Sequence, residues 1–169
     1  KSKVNIEMLI KFILNILLIL ILSEGILWIV RPSALEFYRI QKTYHKVDPS
    51  YLIDLEPNVK VHVKHFQKFF EMDFSTNELG FRGSPNVDNS LPQIVCIGDS
   101  VTMGFGVSDK DTFCNKLNGF TDNKDNSYQA LNLGVDAYGP SHINLKLEKF
   151  LPKLNTKILY FLQGLCLPI

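Results

Sequence analysis

Apolar and polar positions change rhythm several times along this chain. Over 8–30 the text MLIKFILNILLILILSEGILWIV is apolar on nearly every helical face. That pattern predicts a helix exposed to lipid rather than one packed on a core, because about 20 residues rise through the roughly 30 Å of a bilayer's hydrocarbon layer. Lys11 lies near the entry end and can snorkel outward. Asn15 and Glu24 are the polar costs, with Glu24 close enough to the far end to reach the interface and Trp28 placed as an anchor there. Arg31-Pro32 ends the run. Leu35, Phe37 and Tyr38 then suit a short helix over 33–41 with Ser33 as its cap. Asp48-Pro49 and Glu56-Pro57-Asn58 read as turns. Val59, Val61 and Val63 alternate with Lys60, His62 and Lys64, and period two predicts a half-exposed strand over 59–66. Phe69, Phe70, Met72 and Phe74 add apolar surface that must be covered.

Beyond a polar, Pro- and Asn-containing stretch at 84–92 the rhythm changes again. Ile94 to Ile97 form an apolar run that stops at Gly98. A helix is predicted from Asp109, with Phe113, Leu117 and Phe120 on one face, followed by a polar loop over 121–127. Leu131 to Leu133 form a second strand ending at Gly134. Pro140 and Ser141 open another helix, with Ile143, Leu147, Phe150 and Leu151 inward, and Lys157 to Phe161 read as a third strand. Strand, helix, strand, helix, strand is the pattern of a parallel sheet. The fold class is therefore α/β: a partial doubly wound parallel sheet preceded by one transmembrane helix, its edge open after Phe161.

Candidate chemistry concentrates where the first of these strands ends. The text IVCIGDSVTMGFG places Asp99 and Ser100 directly after a strand and a glycine, at the sheet edge where ligands bind in α/β proteins. A serine hydroxyl is a weak nucleophile that needs a base within hydrogen-bond reach and donors aimed at a developing oxyanion. The backbone N–H of Ser100 is one candidate donor. Gly134, in LNLGVDAYG, offers a second with no side chain in the way.

These two blocks, IGDSVTMGFG and ALNLGVDAYG in that order, resemble the SGNH (GDSL-type) hydrolase family. The resemblance covers 93–161 and implies an incomplete flavodoxin-like fold. It maps the nucleophile onto Ser100, and the oxyanion hole onto the N–H groups of Ser100 and Gly134. Gly98 and Asp99 complete the serine motif, with Asp99 a loop organiser. The family's later blocks, a Gly-x-Asn-Asp text after the third strand and an Asp-x-x-His that carries the base, have no counterpart here, since the chain reads QGLCLPI and stops. No base is assigned in this chain. His142 sits at a helix start, and His45, His62 and His65 lie outside the matched blocks. The resemblance implies ester hydrolysis or O-acyl transfer through an acyl-serine, without metal or organic cofactor. It also implies that this chain, as an amino-terminal part, is by itself nearly inactive. The text NELGFR (Asn77 to Arg82) is similar to one that precedes the serine block in membrane-anchored relatives. There Asn77 and Gly80 suit a tight turn, Phe81 can bury beneath it, and Arg82 can meet a carboxylate or an anion.

Composition narrows the picture further. Among 169 residues, 18 bases nearly balance 17 acids, and no basic stripe suggests nucleic acid. Three cysteines form no C-x-x-C pair; Cys96 reads as a small buried hydrophobe, and no disulfide is predicted. His62 and His65 point to opposite faces of a strand and suit a solvated surface better than a metal. Three segments result: a signal anchor over 1–31, a membrane-proximal lead-in over 32–92, and the sheet domain over 93–169. A cleaved signal peptide remains open because Ser23 and Gly25 are small and suitably spaced, although Glu24 between them argues for the anchor. Lys1, Lys3 and Lys11 keep the amino terminus cytoplasmic, with Arg31, Arg39 and Lys42 blurring the bias. The rest of the chain is then extracytoplasmic, beside the bilayer, where cell-envelope glycans or lipids are the acyl carriers within reach. The alternative is a non-catalytic, membrane-anchored envelope protein that keeps the fold for binding or assembly. Oligomeric state has no signature in the sequence.

Overall fold

The computed structural model describes residues 6–121 and 127–162. Lys1, Lys3, most of the loop predicted over 121–127, and the QGLCLPI text with Cys166 lie outside the described residues. The chain divides into two compact units, Lys1–Glu36 and Phe37–Ile169.

The first unit is dominated by α1 (Ile6–Val30), none of whose residues is buried. Its mean hydropathy reaches 2.5, and it is the one helix among the described residues long and apolar enough to cross a membrane. At about 1.5 Å per residue its 25 residues span roughly 37 Å. Lys11 pairs with Glu7 one turn earlier at 2.8 Å, so the lysine's charge is matched toward the helix start. Arg31 lies 5.6 Å from the centre of the Trp28 ring at the other end.

The second unit takes in the end of α2 (Ser33–Tyr44) and all the sheets. Two antiparallel hairpins come first: β1 (His45–Asp48) with β2 (Leu52–Leu55), then β3 (Lys60–Lys64) with β4 (Glu71–Ser75). β3 and β4 bury alternate residues, as period two requires: Val63, Met72 and Phe74 are inside, Lys60, Lys64 and Glu71 outside. The hairpin β1–β2 is not visible as a periodic pattern in its short strands.

Next come β5 (Gln93–Gly98), α3 (Ser100–Met103), α4 (Phe113–Lys116), β6 (Gln129–Asn132), α5 (Pro140–Phe150) and β7 (Thr156–Leu162). β5, β6 and β7 form a parallel sheet in the order β6-β5-β7. β5, central, is buried at every position. β7 is mostly exposed, and no strand pairs with its outer edge among the described residues. On one face Val95, Ile97, Leu131 and Leu133 join Tyr44, Leu55, Met72, Phe74, Phe81, Ile143 and Phe150 in one core. Residues on both sides of the 84–92 stretch therefore bury apolar area together, at roughly 1.5–3 kcal/mol per large side chain.

Three local expectations change. The helix predicted from Asp109 is a 3-10 turn (Asp109–Asp111) followed by the four-residue α4. Thr112 interrupts it with an extended backbone and caps α4 through its own hydroxyl. The opposite face of the sheet holds Ile94, Cys96 and Ala130, and α4 lies against it. Cys96 and Cys114 are joined there in a disulfide, with Cα atoms 6.1 Å apart, which corrects the reading of Cys96 as an unpaired hydrophobe. The bond depends on α4 packing over β6 beside β5, which no spacing rule reveals. In α5 the inward residues are Ile143, Lys146 and Phe150, while Leu147 is only half-buried. Lys146 is fully buried because its Nζ lies 2.6 Å from Asp54 Oδ1 on β2. Burial pulls the lysine's pKa down, and Asp54 pulls it back up, for a net lowering.

Candidate functional site

Ser100 is the first residue of α3, two positions beyond the buried strand β5. Asp99 is the helix N-cap, its Oδ1 accepting from Val101 N at 2.9 Å. The Ser100 side chain is half-buried, and neither its hydroxyl nor its N–H has a hydrogen-bond partner among the described residues. Its carbonyl accepts from Gly104 N and Phe105 N, both at 2.9 Å, which turns the chain back after one helical turn.

Gly98 is required by space, whereas the sequence pattern suggests a turn. A Cβ there would lie 1.7 Å from Leu162 O and 2.2 Å from Thr102 Oγ1. Thr102 Oγ1 donates to Leu162 O at 2.7 Å, so α3 is tied directly to β7 over the glycine.

Gly134 lies against the same helix. A Cβ on it would stand 2.4 Å from Met103 N and 2.8 Å from Thr102 C. The structure thus brings Gly134 beside the helix that carries Ser100. Its N–H, however, donates to Asn132 Oδ1 at 3.0 Å. Asn132 is a hub: its Nδ2 donates to Thr102 O at 2.9 Å, its backbone N–H to Ser84 Oγ at 2.9 Å, and its carbonyl accepts from Arg82 N at 3.0 Å. A substrate oxygen at Gly134 N would share this donor with Asn132. The Asn-x-Gly spacing is the one signal that could have exposed this, since Asn side chains commonly bond the backbone N–H two residues on.

Arg82 holds the loop after α3. The NELGFR turn is closed by Asn77, whose Oδ1 accepts from Leu79 N at 3.0 Å and Phe81 N at 2.9 Å. Phe81 is buried, and Arg82 follows with a side chain at 0% exposure. Its guanidinium donates to the carbonyl oxygens of Met103 at 2.7 Å, Val107 at 2.6 Å and Gly104, and to Asp109 Oδ1 at 3.2 Å. It also lies 4.6 Å from the Phe74 ring centre. Burial draws its pKa down, with Asp109 opposing. Of the two partners predicted for Arg82, the structure supplies a carboxylate.

The histidines fall in separate places. His142 Nδ1 accepts from Gly139 N at 3.3 Å, and the ring stacks on Tyr138, a helix-start role. His62 lies on the exposed face of β3, 2.9 Å from Asp73, and His65 stacks on Phe69. His45 is different. Its Nε2 is 2.6 Å from Asp136 Oδ1 and its Nδ1 is 2.9 Å from Gln41 O. Asp136 belongs to the loop after β6, so this pair sits at the same carboxyl edge of the sheet as Ser100. Both ring nitrogens face oxygens, an arrangement that the doubly protonated imidazolium satisfies beside an ionised Asp136. Burial lowers the pKa of His45, but the bond and charge of Asp136 outweigh it and the net shift is upward. Residues 91 positions apart leave no pattern in a sequence, and this pair was invisible there.

No protein-family model matches the chain, and a search of curated proteins finds no match either.

Proposed function

We propose that this chain is part of a membrane-anchored serine hydrolase of the SGNH (GDSL) type, acting on ester bonds through an acyl-serine. The observation that carries the reading is the presentation of Ser100. Its hydroxyl and N–H are unengaged among the described residues, at the tip of the central strand, on a helical turn held from three sides by Leu162, Asn132 and Arg82. Such rigidity is what a nucleophile needs, because pre-positioning removes much of the entropic barrier. Ser100 Oγ attacks the acyl carbonyl carbon and passes its proton to a base outside the described residues. The same base protonates the departing alkoxide as the carbon–oxygen bond breaks. The N–H of Ser100 and, in competition with Asn132, that of Gly134 stabilise the oxyanion. Asp99 acts as the helix cap.

The apolar α1 supports membrane anchoring, with the amino terminus cytoplasmic and the Ser100 unit outside. The Cys96–Cys114 disulfide supports that side of the membrane, since disulfides persist in oxidising compartments. Acyl groups on cell-envelope glycans or lipids are the substrates available there. A second reading, a non-catalytic envelope protein using the fold for binding, is favoured by two observations: the Gly134 N–H is taken, and no imidazole bonds the Ser100 hydroxyl among the described residues.

The two separate on treatment of the longest expressed reading frame containing this chain with a fluorophosphonate probe. Labelling at Ser100, abolished in Ser100→Ala and at least about 100-fold slower in the 169-residue chain alone, supports the hydrolase. Failure of that reading frame's product to label at Ser100 supports the binding protein.

A further inference from the structure

The outer face of the β3–β4 hairpin and the 3-10 turn that begins at Asp109 enclose an open cavity of about 430 Å³. That lies at the small end of ligand sites, roughly 300–1,000 Å³. The acids on its wall are already answered. Asp109 accepts from Ser75 Oγ at 2.6 Å and from the buried Arg82. Asp73 faces His62 at 2.9 Å. Lys64, further along β3, is neutralised by Glu71.

The two lysines on the wall are not answered. Lys60 from β3 and Lys110 from the turn have no acidic partner within ion-pair distance among the described residues, in contrast to Lys64 and Lys116. On the wall itself Lys60 and Lys110 balance Asp73 and Asp109 in number, but Asp109 is already paired with Arg82 buried behind it, which leaves one positive charge in excess. Ser108 Oγ accepts the Asp73 N–H at 3.0 Å, so its own hydrogen is free to donate. Val61 and Phe74 give the cavity an apolar lining beneath these donors.

We propose that this cleft binds a small molecule bearing a carboxylate or phosphate, its oxyanion held between Lys60 and Lys110 with Ser108 Oγ donating. The site is independent of the chemistry at Ser100, and either reading of that serine leaves it unchanged. Charge-assisted bonds of this kind each change affinity by roughly tenfold or more.

The test is an amide-resolved NMR titration of the full chain in a non-ionic detergent with inorganic phosphate, glucose 6-phosphate and glucuronate. Saturable shifts are expected at Ser75, Ser108 and Lys110, weakened at least about tenfold when Lys60→Gln and Lys110→Gln are combined. Both lysines are exposed, so the double variant should keep the parent's unfolding midpoint, and each single variant gives the same readout at smaller size. Tighter binding of glucose 6-phosphate assigns a phosphate ligand, and tighter binding of glucuronate a carboxylate. Three results would overturn the proposal: no shift at these amides, the same shift from sodium chloride at matched ionic strength, or titrations unaltered in the variants.

Discussion

Replacing Arg82 by methionine preserves most of the side-chain volume and deletes every donor. The cost can be worked from its partners. The guanidinium is fully buried and serves three carbonyl oxygens and one carboxylate, all on the segment 103–109 that follows the serine helix. A hydrogen bond involving a charged group is worth roughly 1.5–3 kcal/mol, and removing one partner of a buried ion pair costs about 3–5 kcal/mol. These terms overlap, because Asp109 is half-buried and water can reach the loop once it opens. The expected loss is therefore about 4 kcal/mol, a large share of the roughly 5–15 kcal/mol that stabilises a domain. Arg82→Lys keeps the charge but cannot span four acceptors with one ammonium, so about 2 kcal/mol is expected. Chemical unfolding followed by near-ultraviolet circular dichroism reads both values, and hydrogen exchange at Phe105 and Val107 should accelerate in parallel. A loss under about 1 kcal/mol for Arg82→Met would show that the loop holds its shape without the guanidinium, and the account of the NELGFR turn would fail.

Three further outcomes follow from other contacts. Folded His45 holds its proton more tightly than the unfolded chain, whose value is 6.5, so its contribution is full below that pH and fades as pH rises through the higher folded value. His45→Gln should flatten this slope in stability–pH curves, and an unchanged slope would refute the imidazolium bridge. Cys114→Ser opens a loop closed across a sequence separation of 18 and should cost about 3 kcal/mol, read as a lowered unfolding midpoint that matches the reduced parent. Gly134→Ala forces a methyl against Met103 N and should destabilise by about 1–3 kcal/mol; a neutral result would mean that α3 can move away from the β6 loop.

Much of the fold was legible because its signals are local. The apolar run of α1, the alternation in β3, the strand-to-glycine endings of β5 and β6, and the Pro140 helix start all lie in contiguous text. The misreadings share a different cause. Asp109 to Phe120 has helical spacing, yet Thr112 and its own hydroxyl break the helix. Lys146 occupies a core position that periodicity assigns to an apolar residue, because Asp54 arrives from β2 to meet it. At the candidate site, Ser100, Asp99, Gly98 and Gly134 could be named in advance, but the partner of Gly134 N–H could not.

What the residues determine alone is the kind of chemistry each segment carries: an apolar helix of bilayer length, a serine after a strand, an arginine after a tight turn. Which groups meet was decided by the packing of the hairpins and helices onto the three-stranded sheet. That packing brings His45 to Asp136, Cys114 to Cys96, and Arg82 to the carbonyls beyond Ser100. Hydrogen bonds and ion pairs act over about 3 Å, and only the folded chain brings distant segments that close.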